Sequence, residues 1–117
     1  MSKAKIIISR YDKCHNITIG GRATYECSPV LKNFTDNMIH DTINKIRIDF
    51  MFCTWMDSTF MGTLAILGLK AKQNNILLEI LNIDDKNLKL LKQIGIQKLF
   101  TFNDLYSINH GYSYTEL

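Results

Sequence analysis

The chain switches its hydrophobic period several times along its length, and this alternation restricts the available folds more than any other feature. Residues 5–9 form a β-branched run, and residues 15–19 place Ile17 and Ile19 on one face. They predict two short strands, joined as a hairpin through residues 11–15, with Gly20-Gly21 breaking the chain afterwards. Over 25–43, Val30, Leu31, Phe34, Met38 and Ile39 recur at three- and four-residue spacing, the stripe of a helix. Pro29 suits its first turn and Ser28 its N-cap. Residues 45–51 alternate, with Ile46, Ile48 and Phe50 on one side and Lys45, Arg47 and Asp49 on the other, as a strand does. Residues 58–72 are apolar nearly all round and predict a central, mostly buried helix. Residues 76–81, apolar except for Glu79, read as an interior strand. Asp84 is placed to cap a helix carrying Leu88, Leu91 and Ile94, which Gly95 ends. A last short strand is expected over 98–102, and a short helix from Leu105 before a polar end. Strands separated by helices of about ten residues or more require parallel crossovers, so the pattern predicts an α/β layer with right-handed connections.

With 117 residues, one proline and no Gly/Ser-rich linker or internal repeat, the chain is expected to form a single domain over 1–117. Its core should span about 4–105, with a C-terminal tail over 106–117. Hydrophobic residues at 46% and charged residues at 21% give a globular balance. No apolar stretch is long enough for a membrane span. Lys3, Lys5 and Arg10 leave no room for a secretory leader, so a soluble cytoplasmic protein with no membrane insertion is expected. A net charge of +3, from 14 basic and 11 acidic residues, is too small and too dispersed for a nucleic-acid partner. Cys14, Cys27 and Cys53 form no C-x-x-C pair and read as buried thiols in a reducing compartment.

The usual enzyme templates are missing. There is no phosphate-cradling G-x-x-x-x-G-K-[ST], no nucleophile elbow, and no third glycine or acidic partner for Gly20-Gly21. His15, His40 and His110 lie far apart without ligand spacing and read as surface or half-buried residues. Asp84-Asp85 reads as a helix cap. A receiver domain is disfavoured by the lack of an acidic cluster after the early strands. The expectation is therefore a protein that is not an enzyme, with no catalytic residues, metal site or cofactor.

One segment, residues 50–64, does not read as plain scaffold. A strand runs into a short apolar loop, and Asp57-Ser58-Thr59 then opens the buried helix. A hydroxyl there can simply cap the helix, contributing about 1 kcal/mol. The same place also suits a modification. A phosphoryl group on Ser58 would meet free N–H groups and the positive end of the helix dipole. It would add a charge of about −1.5 to −2 beside Asp57, changing the surface without unfolding the chain. Trp55 and Met56, just before, offer either contact area for a partner or core packing.

These residues resemble the STAS domains of anti-sigma factor antagonists. That family's hallmark is a strand with a central Asp, an aromatic or aliphatic pair, then D-S-[ST]-G-x-G-x-L. Asp49, Trp55-Met56 and the run from Asp57-Ser58-Thr59 through Phe60-Met61-Gly62-Thr63-Leu64 follow it in order. Downstream, Leu88, Leu91, Gly95 and Lys98-Leu99-Phe100 with Phe102 also fit, so the likeness extends over about 4–105. The resemblance implies a mostly parallel sheet of about four to five strands with helices largely on one side. It also implies partner switching: the unphosphorylated protein binds an anti-sigma factor that is itself a serine kinase, and phosphorylation of Ser58 releases it. A serine phosphatase then resets the switch. Asp57, Ser58, Thr59, Met61, Thr24 and Trp55 are the implied partner-binding residues, and the chain needs no cofactor. Phe60 stands where the family usually has glycine, and Gly21-Arg22-Ala23-Thr24 replaces an acidic loop motif. The aromatic is expected either to narrow access for the kinase or to mark a different partner. Thr59 and Thr54 are rival acceptors. The alternative is a scaffold or adaptor subunit of a signalling or transport assembly, never phosphorylated, in which Ser58 is only a cap.

Overall fold

The computed structural model describes residues 4–38 and 42–103. Two strands, β1 (Lys5–Tyr11) and β2 (Cys14–Ala23), form an antiparallel hairpin. Its two-residue turn places Asp12 at φ 57, a left-handed conformation that aspartate tolerates. The chain continues through α1 (Ser28–Asn37), β3 (Lys45–Met56), α2 (Ser58–Gln73), β4 (Leu77–Leu81) and α3 (Asp85–Gln93). A 3-10 turn, Gln97–Leu99, leads into β5 (Thr101–Asn103). Strand order in space is the order in sequence, β1-β2-β3-β4-β5, and every pairing after the hairpin is parallel. Each parallel step contains helix, as the predicted crossovers require. The described residues form an α/β fold with a five-stranded, mostly parallel sheet and three helices.

Register explains why one face of the sheet is dry. Ile17 pairs with Ile48 and Ile48 with Ile80, so alternate apolar residues of adjacent strands align on one side. There they join Leu31 and Met38 of the α1 region, Phe60, Leu64 and Leu67 of α2, and Leu91 of α3 in one buried cluster. The opposite face is polar at its centre, with Leu77, Leu81 and Ile7 as apolar positions around it. Asn16 pairs with Arg47 and Arg47 with Glu79, whose carboxylate accepts from Arg47 Nε at 3.0 Å and also from Asn103 Nδ2. Asp49, the central strand acid, accepts from Asn82 Nδ2 at 3.1 Å. A sheet with one covered face needs this division.

Several sequence expectations are corrected. Gly20-Gly21 does not break the chain; β2 runs on to Ala23. The apolar stretch after Met51 is not a loop, because β3 continues to Met56. The two departures share a cause. The β2–β3 register shifts between Thr18 and Gly20 and again between Gly21 and Arg22, each shift adding one residue to β3. Gly21 sits at φ 80, a conformation that a side chain resists. Pairing of β3 with β4 ends at Asp49–Leu81, so beyond it β3 is bulged and, among the described residues, pairs with β2 alone.

The first helix is shorter than 25–43 because residues 25–27 form a turn, with Thr24 O accepting from Cys27 N and Ser28 N. Cys27, not Ser28, is its N-cap residue, and it makes no side-chain cap bond. Helix α2 is buried along one side only, since Ile66 and Leu69 are exposed. His15 is buried against the edge of Phe34, with ring centroids 5.0 Å apart. His40, His110 and the helix expected from Leu105 lie outside the described residues. Cys27 and Cys53 are buried and Cys14 is half-buried. Among the described residues no helix is long and apolar enough to cross a membrane.

Candidate functional site

The junction between β3 and α2 is built around Asp57. Its main chain is extended, at φ −94 and ψ 173, and its N–H donates to Ala23 O of β2 at 3.0 Å, carrying the sheet pattern to the helix entrance. The carboxylate then serves two partners. Oδ1 accepts from Phe60 N at 2.8 Å, and Oδ2 accepts from Tyr25 N at 2.8 Å. The first bond caps α2; the second ties the β2–α1 turn to the same point. Aspartate is favoured in this place because it satisfies an N–H with no acceptor inside the helix and puts negative charge at the positive dipole end.

With Asp57 as the cap, Ser58 is released from that duty. It is the first residue of α2, it is exposed, and its hydroxyl has no hydrogen-bond partner among the described residues. This corrects the reading of the serine oxygen as the cap of the helix. Thr59 beside it is also exposed, while its carbonyl accepts from Thr63 Oγ1 at 3.1 Å. No acidic residue lies in the first turn. An anion on Ser58 would therefore sit beside first-turn N–H groups that the helix cannot satisfy.

The other candidate residues separate by position. Trp55 is half-buried on the polar side of the sheet, and the Arg22 guanidinium lies over its ring, 4.5 Å from the centroid. The two are register partners across β2 and β3. Thr24 shapes the neighbouring turn, its Oγ1 accepting from Glu26 N at 3.4 Å. Thr54 is exposed on β3. Met61 does not join this surface: it is 5% exposed and packs in the buried cluster beneath the sheet face. Phe60 is fully buried as well. Its ring fills the core beneath the helix start and does not stand over Ser58, so it narrows no access to the hydroxyl.

Sequence reasoning missed three features. Tyr25 is exposed at the tied turn, Arg22 stacks on Trp55, and Met51 and Phe52 point into solvent at the β3 bulge. Only the bulge carried a sequence signal, in the paired glycines opposite it. Two thiols lie behind the junction. Burial raises the Cys27 pKa and pushes Cys53 up to about 11, so both are protonated at neutral pH. The Cys53 carbonyl accepts from buried Asn87 Nδ2 at 3.1 Å, joining α3 to the bulged strand. Among the described residues, no three His, Cys, Asp or Glu side chains cluster as a metal site would need.

The sequence matches no family model and no curated protein. Solved structures do match. The anti-sigma factor antagonist SpoIIAA in its unphosphorylated form overlaps with a TM-score of 0.72 at 13% identity, covering 86% of this chain and 88% of that one. The Bacillus cell fate determinant SpoIIAA in its phosphorylated form also gives 0.72 at 13%, covering 86% and 90%. An anti-sigma factor antagonist from Mycobacterium paratuberculosis gives 0.72 at 14%, covering 86% and 85%. At these identities the likeness establishes a shared fold.

Proposed function

We propose that this protein, which has the STAS fold of SpoIIAA and other anti-sigma factor antagonists, itself works as an anti-sigma factor antagonist by partner switching. In this reading it binds an anti-sigma factor with serine kinase activity while Ser58 is unmodified. Phosphorylation of Ser58 ends the complex, and a serine phosphatase restores the binding form. The chain is substrate and binder, acts in the cytoplasm, and has no reaction or cofactor of its own.

The observation that carries this reading is the division of labour at the start of α2. Asp57 holds the helix and the adjoining turn, leaving the Ser58 hydroxyl exposed and, among the described residues, unbonded. Phosphate there adds a charge of about −1.5 to −2 at a place the helix tolerates. The same charge disrupts a neighbour packed against Thr59, Thr24 and the Arg22–Trp55 pair, because it must be desolvated in the interface. Structures of SpoIIAA in both states match this chain equally well, which supports a fold compatible with either.

The test is partner capture from native lysate by wild type, Ser58→Ala and Ser58→Asp, each with and without ATP. Wild type should release its partner when ATP is added, Ser58→Ala should retain it, and Ser58→Asp should bind weakly throughout. A wild-type complex insensitive to ATP would instead identify a constitutive scaffold.

A further inference from the structure

Among the described residues, the hairpin leaves one edge of the sheet open. Among these residues, β1 pairs only with β2 and stands last in the strand order. Counted from the turn at Asp12-Lys13, the pairs Tyr11–Cys14, Ser9–Asn16, Ile7–Thr18 and Lys5–Gly20 are the ones that exchange main-chain hydrogen bonds. The N–H and C=O groups of Ile6 and Ile8 consequently point away from β2, toward the open edge. No proline or register shift interrupts residues 5–9, and Lys5 is the only charge among them. Ile7 is 60% exposed and Ile8 37%. An edge this apolar and regular is a template for another strand.

We propose that β1 is a self-association surface, in which two copies pair their β1 strands antiparallel about a two-fold axis at Ile7 and merge their sheets. A second copy is the favoured occupant because this run complements its own reverse. About that axis, Ile6 stands opposite the second copy's Ile8, Ile7 opposite its own counterpart, and Lys5 opposite Ser9. Apolar side chains meet apolar ones, and each lysine meets a hydroxyl instead of another cation. The Ile6–Ile8 pairs are hydrogen-bonded, about four main-chain bonds in all, and the Ile7 pair has the closer, non-bonded spacing. An axis at Ile8 would set Ile6 against Arg10 and Ile7 against Ser9, losing these contacts. The interface is small, so association falls at about micromolar strength. It is separate from Ser58, since β2 lies between β1 and the strand that leads there.

Sedimentation equilibrium of the full chain over a concentration series tests this. Wild type should move from 13.5 kDa toward twice that mass. Ile7→Lys and Ile7→Glu each set like charges face to face at the axis and should raise the dissociation constant about tenfold or more. An equimolar mixture of the two variants should recover the dimer. Ile7 is an exposed position, and far-UV circular dichroism verifies that both variants are folded. In wild type, hydrogen exchange at the Ile6 and Ile8 amides should slow as concentration rises. A wild-type chain that keeps single-chain mass at millimolar concentration overturns the proposal. So do single variants that associate like wild type, or a mixture that fails to recover association.

Discussion

Replacing Asp57 by asparagine or alanine separates the two bonds that hold the β2–α1 turn to the start of α2. Wild-type Asp57 accepts from Phe60 N and Tyr25 N, both at 2.8 Å. Alanine removes both. Losing the cap costs about 1 kcal/mol. The bond from Tyr25 N goes to a charged oxygen and would be worth about 1.5–3 kcal/mol if sheltered. Tyr25 is exposed, which reduces that to about 1 kcal/mol. Asp57→Ala should then cost about 2 kcal/mol. Asparagine keeps one carbonyl oxygen for the cap but turns an amide NH2 toward Tyr25 N–H, so Asp57→Asn should cost about 1 kcal/mol. With a urea slope of about 2 kcal/mol per molar, the midpoint should fall by about 0.5 M for asparagine and about 1 M for alanine. Amide exchange assigns the loss: Tyr25 should lose protection in both variants, Phe60 only in the alanine variant. If alanine costs under about 0.5 kcal/mol, or leaves both Tyr25 and Phe60 amides as protected as in wild type, the carboxylate does not bridge the two elements.

Phe60→Ala should destabilise the chain by about 3–5 kcal/mol in urea unfolding, since the ring is fully buried under α2; a loss below about 1 kcal/mol would show that it is not core. Stability should decline in alkali. Burial lifts the Cys53 thiol from 9.0 to about 11, so the fold favours the protonated form; this contribution is intact below about pH 9 and is lost as pH rises through about 11. Urea midpoints between about pH 8 and pH 11 should fall less steeply in Cys53→Ala, and an equal fall would contradict the burial argument. Arg22→Ala should uncover one face of Trp55, the only tryptophan, shifting its emission to the red at a cost within about 1 kcal/mol; unchanged emission would mean that the stacked pair does not persist in solution.

Much of the fold was legible because one sheet face is dry and the other is wet. The alternation of Ile46, Ile48 and Phe50 with Lys45, Arg47 and Asp49 is that division written into β3. Asp84 caps α3 through Asn87 N at 2.8 Å, and Gly95 takes φ 77 after it, as local rules predict. The rule stopped working where the strand bulged. Phe50 and Cys53 face inward while Met51 and Phe52 between them both face solvent, so residues 50–53 lose the two-residue period and read as loop. At the site, aspartate and serine are adjacent and both are good caps. Which one serves is decided by the bond from Asp57 N to Ala23 O, a contact distant in sequence. The Arg22–Trp55 stack depends on both register shifts and had no local signal.

Partner switching requires the Ser58 hydroxyl to be the group that a kinase modifies. Intact-mass and fragment-mass spectrometry of the full chain, after incubation with native lysate and ATP, measures this directly. The prediction is a gain of one phosphate, located on Ser58 and absent from Ser58→Ala. Equal phosphate uptake by the two chains, or phosphate located on Thr54 or Thr59, would contradict it.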